Sequence, residues 1–209
     1  MIAVTYGFTM LVMRSLLALF RPVTVVKVQL NARIMPLDRG ARYEDPLMDA
    51  LREHAIDSEV IGGGTMMEPT REPKWCDIEI ELKGNSARGR RLIVETLEKL
   101  GAPKGSVLRT KAAEPVFFGV SEGVGLYLNG TDLPEEVYSA NDLGDLIAEL
   151  EQALGEAGEL HSRWQGAAET ALYFYGPSAQ RLIERIESVT ATHPLAQRCR
   201  IVELTGLPG

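Results

Sequence analysis

Residues 76–97 read CDIEIELKGNSARGRRLIVETL, and residues 170–189 read TALYFYGPSAQRLIERIESV. Each begins with a period-two run, breaks at a glycine, passes a small polar residue and continues with apolar residues at helical spacing. In the first, Cys76, Ile78, Ile80 and Leu82 oppose Asp77, Glu79 and Glu81, and Ile93 and Leu97 share a stripe behind Asn85 or Ser86 as the cap. In the second, Leu172 and Phe174 oppose Tyr173 and Tyr175, and Leu182, Ile183, Ile186 and Val189 form the stripe. A strand followed by a helix therefore occurs once in each half of the chain.

The rest of each half completes the same order. Residues 24–34, TVVKVQLNARI, alternate strictly, with Val26, Val28, Leu30, Ala32 and Ile34 opposite Lys27, Gln29, Asn31 and Arg33. A turn-rich MPLDRGARYED follows, then PLMDALREHAI, which carries Leu47 and Leu51 at helical spacing behind Asp45 and Pro46. SEVIGGGTMM and KWCDIEIEL read as strands joined by a loop holding Pro69 and Pro73, and SVLRT closes the half after a helix stopped by Gly101 and Pro103. The second half runs GVGLYLNG, DLGDLIAELEQALGEAG, ELHSRWQG, ETALYFYG, PSAQRLIERIESVTATHP and CRIVEL. Strand, helix, strand, strand, helix, strand is read twice.

That order is the β-α-β-β-α-β unit of the ferredoxin-like fold, so the expected class is α+β with two tandem units. Each unit should have a four-stranded antiparallel sheet, first and third strands central, and both helices on one face. The expected division is an apolar N-terminal segment at 1–22, unit 1 at 23–111 and an acidic unit 2 at 112–209, with the boundary near TKAAEP, residues 110–115. The rival arrangement is one larger mixed sheet built from the same strands.

Charge divides the halves. Residues 1–111 hold 17 Lys and Arg against 14 Asp and Glu, whereas residues 112–209 hold 5 against 15. From Asp132 to Glu159 the chain has nine acidic residues and no Lys or Arg. Such a run reads as a solvated helix face, or as a surface for a basic partner.

In the first 22 residues, MIAVTYGFTMLVMRSLLALFRP, Arg14 interrupts the apolar run and Arg21–Pro22 end it, so no membrane span is expected. No basic start and no small-x-small cleavage site mark a signal peptide. The reading is a cytoplasmic protein whose N-terminal segment is a docking helix or an upstream extension. The two cysteines, Cys76 and Cys199, sit in apolar strand-like runs as small buried hydrophobes.

Known chemistries find little footing. Nucleic-acid binding on this fold would use basic and aromatic residues on the third strand, and WCDIEIEL supplies carboxylates there. The three histidines, His54, His161 and His193, lie on different elements, so no metal is expected, and no cofactor. IGGGT, with Gly62, Gly63 and Gly64, lacks the lysine and helix of a P-loop and reads as a β-bulge or tight crossing. Acylphosphatases share the topology, but MPLDRGARYEDP is not their glycine-rich signature, and its Arg39 and Arg42 read as ion pairs pinning a loop.

The face opposite the helices of unit 2 carries the main functional expectation. It should show Tyr127, Tyr173 and Tyr175, joined by His161 and Arg163, or else by Trp164, according to register. Such a face meets the first unit, the N-terminal segment, a second copy in a homodimer, or a separate partner. The leading expectation is a non-catalytic protein-binding module of inhibitor or immunity type, engaging a basic protein through those residues and through Glu149 and Glu151. The alternative is a small-molecule sensor similar in topology to the ACT regulatory domains, which often pair their units. Its ligand would lie between units near Arg39 and Arg42 or near Gly62, Gly63 and Gly64. An enzyme without a readable signature is the third reading.

Overall fold

A computed structural model describes residues 22–204, and the expectations for the N-terminal segment lie outside the described residues. The elements run β1 (Val23–Leu30), α1 (Pro36–Arg39), a π-turn (Gly40–Glu44), α2 (Asp45–Glu53), β2 (Asp57–Met67), β3 (Pro73–Lys83), α3 (Ser86–Lys99), β4 (Ser106–Thr110) and β5 (Ala113–Phe118). They continue as β6 (Glu122–Asn129), α4 (Glu135–Ala140), α5 (Leu143–Leu154), β7 (Glu159–Gln165), β8 (Glu169–Gly176), α6 (Ala179–Thr190) and β9 (Arg200–Leu204). The strands form two antiparallel sheets, ordered β2-β3-β1-β4-β5 and β7-β8-β6-β9. With the first and third strands of each half paired at the centre, both are ferredoxin-like, and the single mixed sheet is ruled out.

Alternation sets the faces as expected. Val26, Val28, Leu30, Cys76, Ile78 and Ile80 meet Leu47, Leu51, Ile93 and Leu97 in one core. Leu126, Leu128, Leu172 and Phe174 meet Leu146, Leu150, Leu182 and Ile186 in the other. Burying each of these side chains contributes about 1.5–3 kcal/mol. On the outer face of the first sheet Lys27 pairs with Asp77 at 2.5 Å and Glu79 at 3.1 Å, so that face is satisfied in water. Asn85 caps α3, accepting from the Arg88 N–H at 3.2 Å.

Two elements depart from expectation. The first sheet has five strands, because residues 110–115 form the turn and start of a β4–β5 hairpin. The stretch MPLDRGARYED is helical from Pro36 onward: a π-turn, closed by the Asp45 N–H on the Gly40 carbonyl, joins α1 to α2. Pro46 lacks the N–H that an uninterrupted α-helix would give the Arg42 carbonyl, and the helix widens just before it.

Only Gly119, Val120 and Ser121 separate β5 from β6. The amides of Val120 and Ser121 both donate to the Ala102 carbonyl, the Lys104 N–H donates to Ser121 O at 2.8 Å, and Lys104 pairs with Glu122 at 2.7 Å. No helix among the described residues is long and apolar enough to cross a membrane.

Candidate functional site

The tyrosines face away from their own helices and onto the first unit. Tyr127, Tyr173 and Tyr175, with Trp164 and Ala171, form a separate cluster against which Met35 packs. Their exposure is 4%, 0% and 2%, so the surface expected for an outside partner is occupied by this chain's own first unit. Gly123 and Gly125 make room for the rings: a Cβ at Gly123 would lie 2.6 Å from Tyr175 Cε1, and one at Gly125 2.8 Å from Tyr127 Cε2.

Glu72, in the loop between β2 and β3, collects the hydroxyls. Its Oε1 accepts from Tyr127 at 2.5 Å and from Tyr173 at 2.9 Å, and it pairs with Arg33. The Arg33 amide donates to the Tyr175 hydroxyl at 2.8 Å. Burial and the neighbouring Glu72 push the Tyr127 phenol up to about 12, and burial also raises Tyr173 and Tyr175, so all three are neutral at physiological pH.

A second polar node lies on the other side of Tyr175. The Tyr43 hydroxyl meets His161 Nδ1 at 3.3 Å, His161 Nε2 faces Glu159 at 3.6 Å, and Arg42 from the π-turn pairs with Glu159. The His161 and Tyr175 rings lie 4.6 Å apart. Ser162 accepts from the Met35 amide at 3.0 Å and donates to Asp38 at 2.6 Å. Burial lowers the His161 pKa, favouring neutral imidazole. His161 and Arg42 hold Glu159 down to about 2.

A β-bulge resolves the register left open in β7. Leu160 pairs with Phe174 and Ser162 with Tyr173, so His161 is the extra residue. Both His161 and Trp164 consequently reach the tyrosine face, which strict alternation forbids, while exposed Arg163 stands opposite Leu172, a residue of the helix-side core. Two clefts flank His161. One, about 270 Å³, is lined by Asp38, Ile147, Leu160, His161, Ser162 and Arg163. The other, about 310 Å³, is lined by Ser121, Glu156, Glu159, His161, Tyr175 and neighbouring backbone.

The remaining sequence candidates scatter. Arg39 pairs with Glu44 at 2.5 Å and pins the π-turn, as a local ion pair should. Gly62, Gly63 and Gly64 lie in β2 beside a bulge, and a Cβ at Gly63 would come 2.6 Å from the Asp77 carbonyl: a tight crossing of β3. Glu149 and Glu151 are exposed on α5, the helix whose Leu146 and Leu150 pack in the second core, on the opposite side of the sheet from the tyrosines. Sequence reasoning missed Glu72, Asp38, Tyr43, Glu159 and Ser162. The alternating Gly123 and Gly125 were the available signal that bulky rings share this face.

Cys76 is fully buried and burial pushes its thiol up to about 12, which suits a core residue and no nucleophile. Among the described residues no three metal-ligating side chains come together.

No family model matches the chain, and no curated protein matches it. Among solved structures, the ligand-free regulatory subunit of aspartate kinase from Thermus thermophilus is 13% identical, with a TM-score of 0.28 over 80% of this chain and 95% of that one. An unknown protein from Galdieria sulphuraria is 14% identical, with a TM-score of 0.27 over 88% and 98%. The regulatory subunit of aspartate kinase from Thermus flavus is 11% identical, with a TM-score of 0.27 over 81% and 95%.

Proposed function

We propose that this protein is a small-molecule-binding regulatory module whose effector enters the polar clefts where its two ferredoxin-like units meet. The observation that carries this reading is His161. It lines both clefts and is held from the first unit by Tyr43 and, through Glu159, by Arg42. Arg42 reaches the second cleft through Glu159, which lines that cleft and pairs with the guanidinium. A ligand replacing Glu159 at this guanidinium changes how the units are tied together, which is the differential interaction a regulatory switch requires.

A thermal shift screen with amino acids and nucleotides tests the reading. A true effector at about 100 times its Kd stabilises the folded chain by about 2.7 kcal/mol and raises Tm. Arg42→Ala and His161→Gln should each remove that rise. A panel without any hit, or a hit indifferent to both substitutions, overturns the proposal.

The protein-binding reading loses the tyrosine face and keeps one specific support, the exposed carboxylates of Glu149 and Glu151 on α5. Salt-sensitive capture of a basic protein, abolished by Glu149→Lys with Glu151→Lys, would favour it.

A further inference from the structure

We infer a second ligand site, separate from the junction, on the helix side of the first sheet, for a small carboxylate with an apolar body. The site follows from the fifth strand. Two helices about 10 Å across cover four strands spaced about 4.8 Å apart, so a fifth strand adds roughly 5 Å of sheet with no helix above it. The result is a trough of about 490 Å³ between α3 and the β4–β5 hairpin. That volume lies within the range of about 300–1,000 Å³ usual for ligand pockets.

Its lining has two chemistries. Ala87, Val94, Leu108 and Val116 make it apolar, and Val116 remains 42% exposed although it pairs with buried Leu108 in the hairpin. Arg90 and Arg91 stand beside them on the N-terminal half of α3. The Arg90 Nε is buried and has no hydrogen-bond partner among the described residues. A buried donor left without an acceptor is unfavourable, a deficit that an incoming carboxylate removes. Glu95, one turn further on, discourages a negative charge at the opposite end of the trough. The carboxylate therefore sits at Arg90 and Arg91, and the apolar body lies along Val94, Leu108 and Val116.

Octanoate titrated into the full chain, followed by calorimetry, is the test. Octanoate should bind at least about tenfold more tightly than octanol or octylamine, the difference a charge-assisted contact supplies. Arg90→Gln with Arg91→Gln should weaken octanoate about tenfold or more, and Val116→Asp should do the same by charging the apolar wall. Tm without ligand should hold or rise in the arginine variant, since the orphaned Nε goes with Arg90, so a loss of octanoate binding there reads the site and not the fold. No octanoate binding to the full chain, equal binding of octylamine, or unchanged affinity in the arginine variant overturns the inference. A loss confined to Arg42→Ala would place octanoate at the junction and overturn it too.

Discussion

The Tyr173 hydroxyl donates to Glu72 across 2.9 Å, joining the central β8 strand of one sheet to a loop of the other, 101 residues away in sequence. Because Tyr127 and Arg33 share the same carboxylate oxygen, Glu72 is the hub of the contact between units. Tyr173→Phe removes one of three partners and should cost about 1–3 kcal/mol. Glu72→Ala strands a partly buried Arg33 and should cost about 3 kcal/mol or more. Denaturant unfolding of both single variants and the double variant checks this. Strict additivity would show that the hub does not couple the units.

Protonation of His161 should loosen the junction in mildly acidic solution. Burial depresses its folded pKa below the ordinary value of about 6.5, so the unfolded chain takes up that proton first. Its contribution to stability is therefore complete above about pH 6.5 and is lost as pH falls from there towards the folded pKa. The facing groups are Tyr43, Tyr175, Arg42 and Glu159. Glu159, held near 2, stays ionised across this window. His161→Gln should flatten the slope of Tm against pH between about 5 and 7; an unchanged slope counts against the imidazole as its source.

Gly123 is required by space and not by backbone strain. An added methyl would meet the Tyr175 ring at 2.6 Å, and that ring is already fixed by His161 and by the Arg33 amide. Gly123→Ala should cost about 1–3 kcal/mol by overpacking. Pairing it with Tyr175→Leu should recover part of that loss in thermal melts.

The two thiols should react in sequence. Cys76 is sealed in the first core with its thiol pushed up to about 12, whereas Cys199 is only partly buried. Burial raises the Cys199 thiol too, so under native conditions a thiol reagent should modify one equivalent slowly, and the second only upon unfolding. Two equally fast equivalents would argue against the packing around β3.

Much of this architecture was legible because both periods are clean. The alternation in VTVVKVQL and TALYFY assigned nearly every side chain to its face, and the cap at Asn85 marked where α3 begins. The fifth strand was hidden because AEPVFF does not alternate and carries Pro115, which reads as a boundary. The first helical turns were hidden because Pro36, Gly40 and Pro46 together resemble a loop. The site was less legible for a different reason. Glu72, Tyr43 and Glu159 acquire their roles from partners in the other unit, and no local pattern records a contact that only the docking of two sheets creates.

The joint at Gly119–Ser121 keeps the two sheets close together. Three residues reach at most about 10 Å, and these are stitched to Ala102 and Lys104. Held this near, the second sheet turns its aromatic seam onto Glu72 of the same chain, and a short tether of this kind makes that carboxylate the closest acceptor the phenols can find.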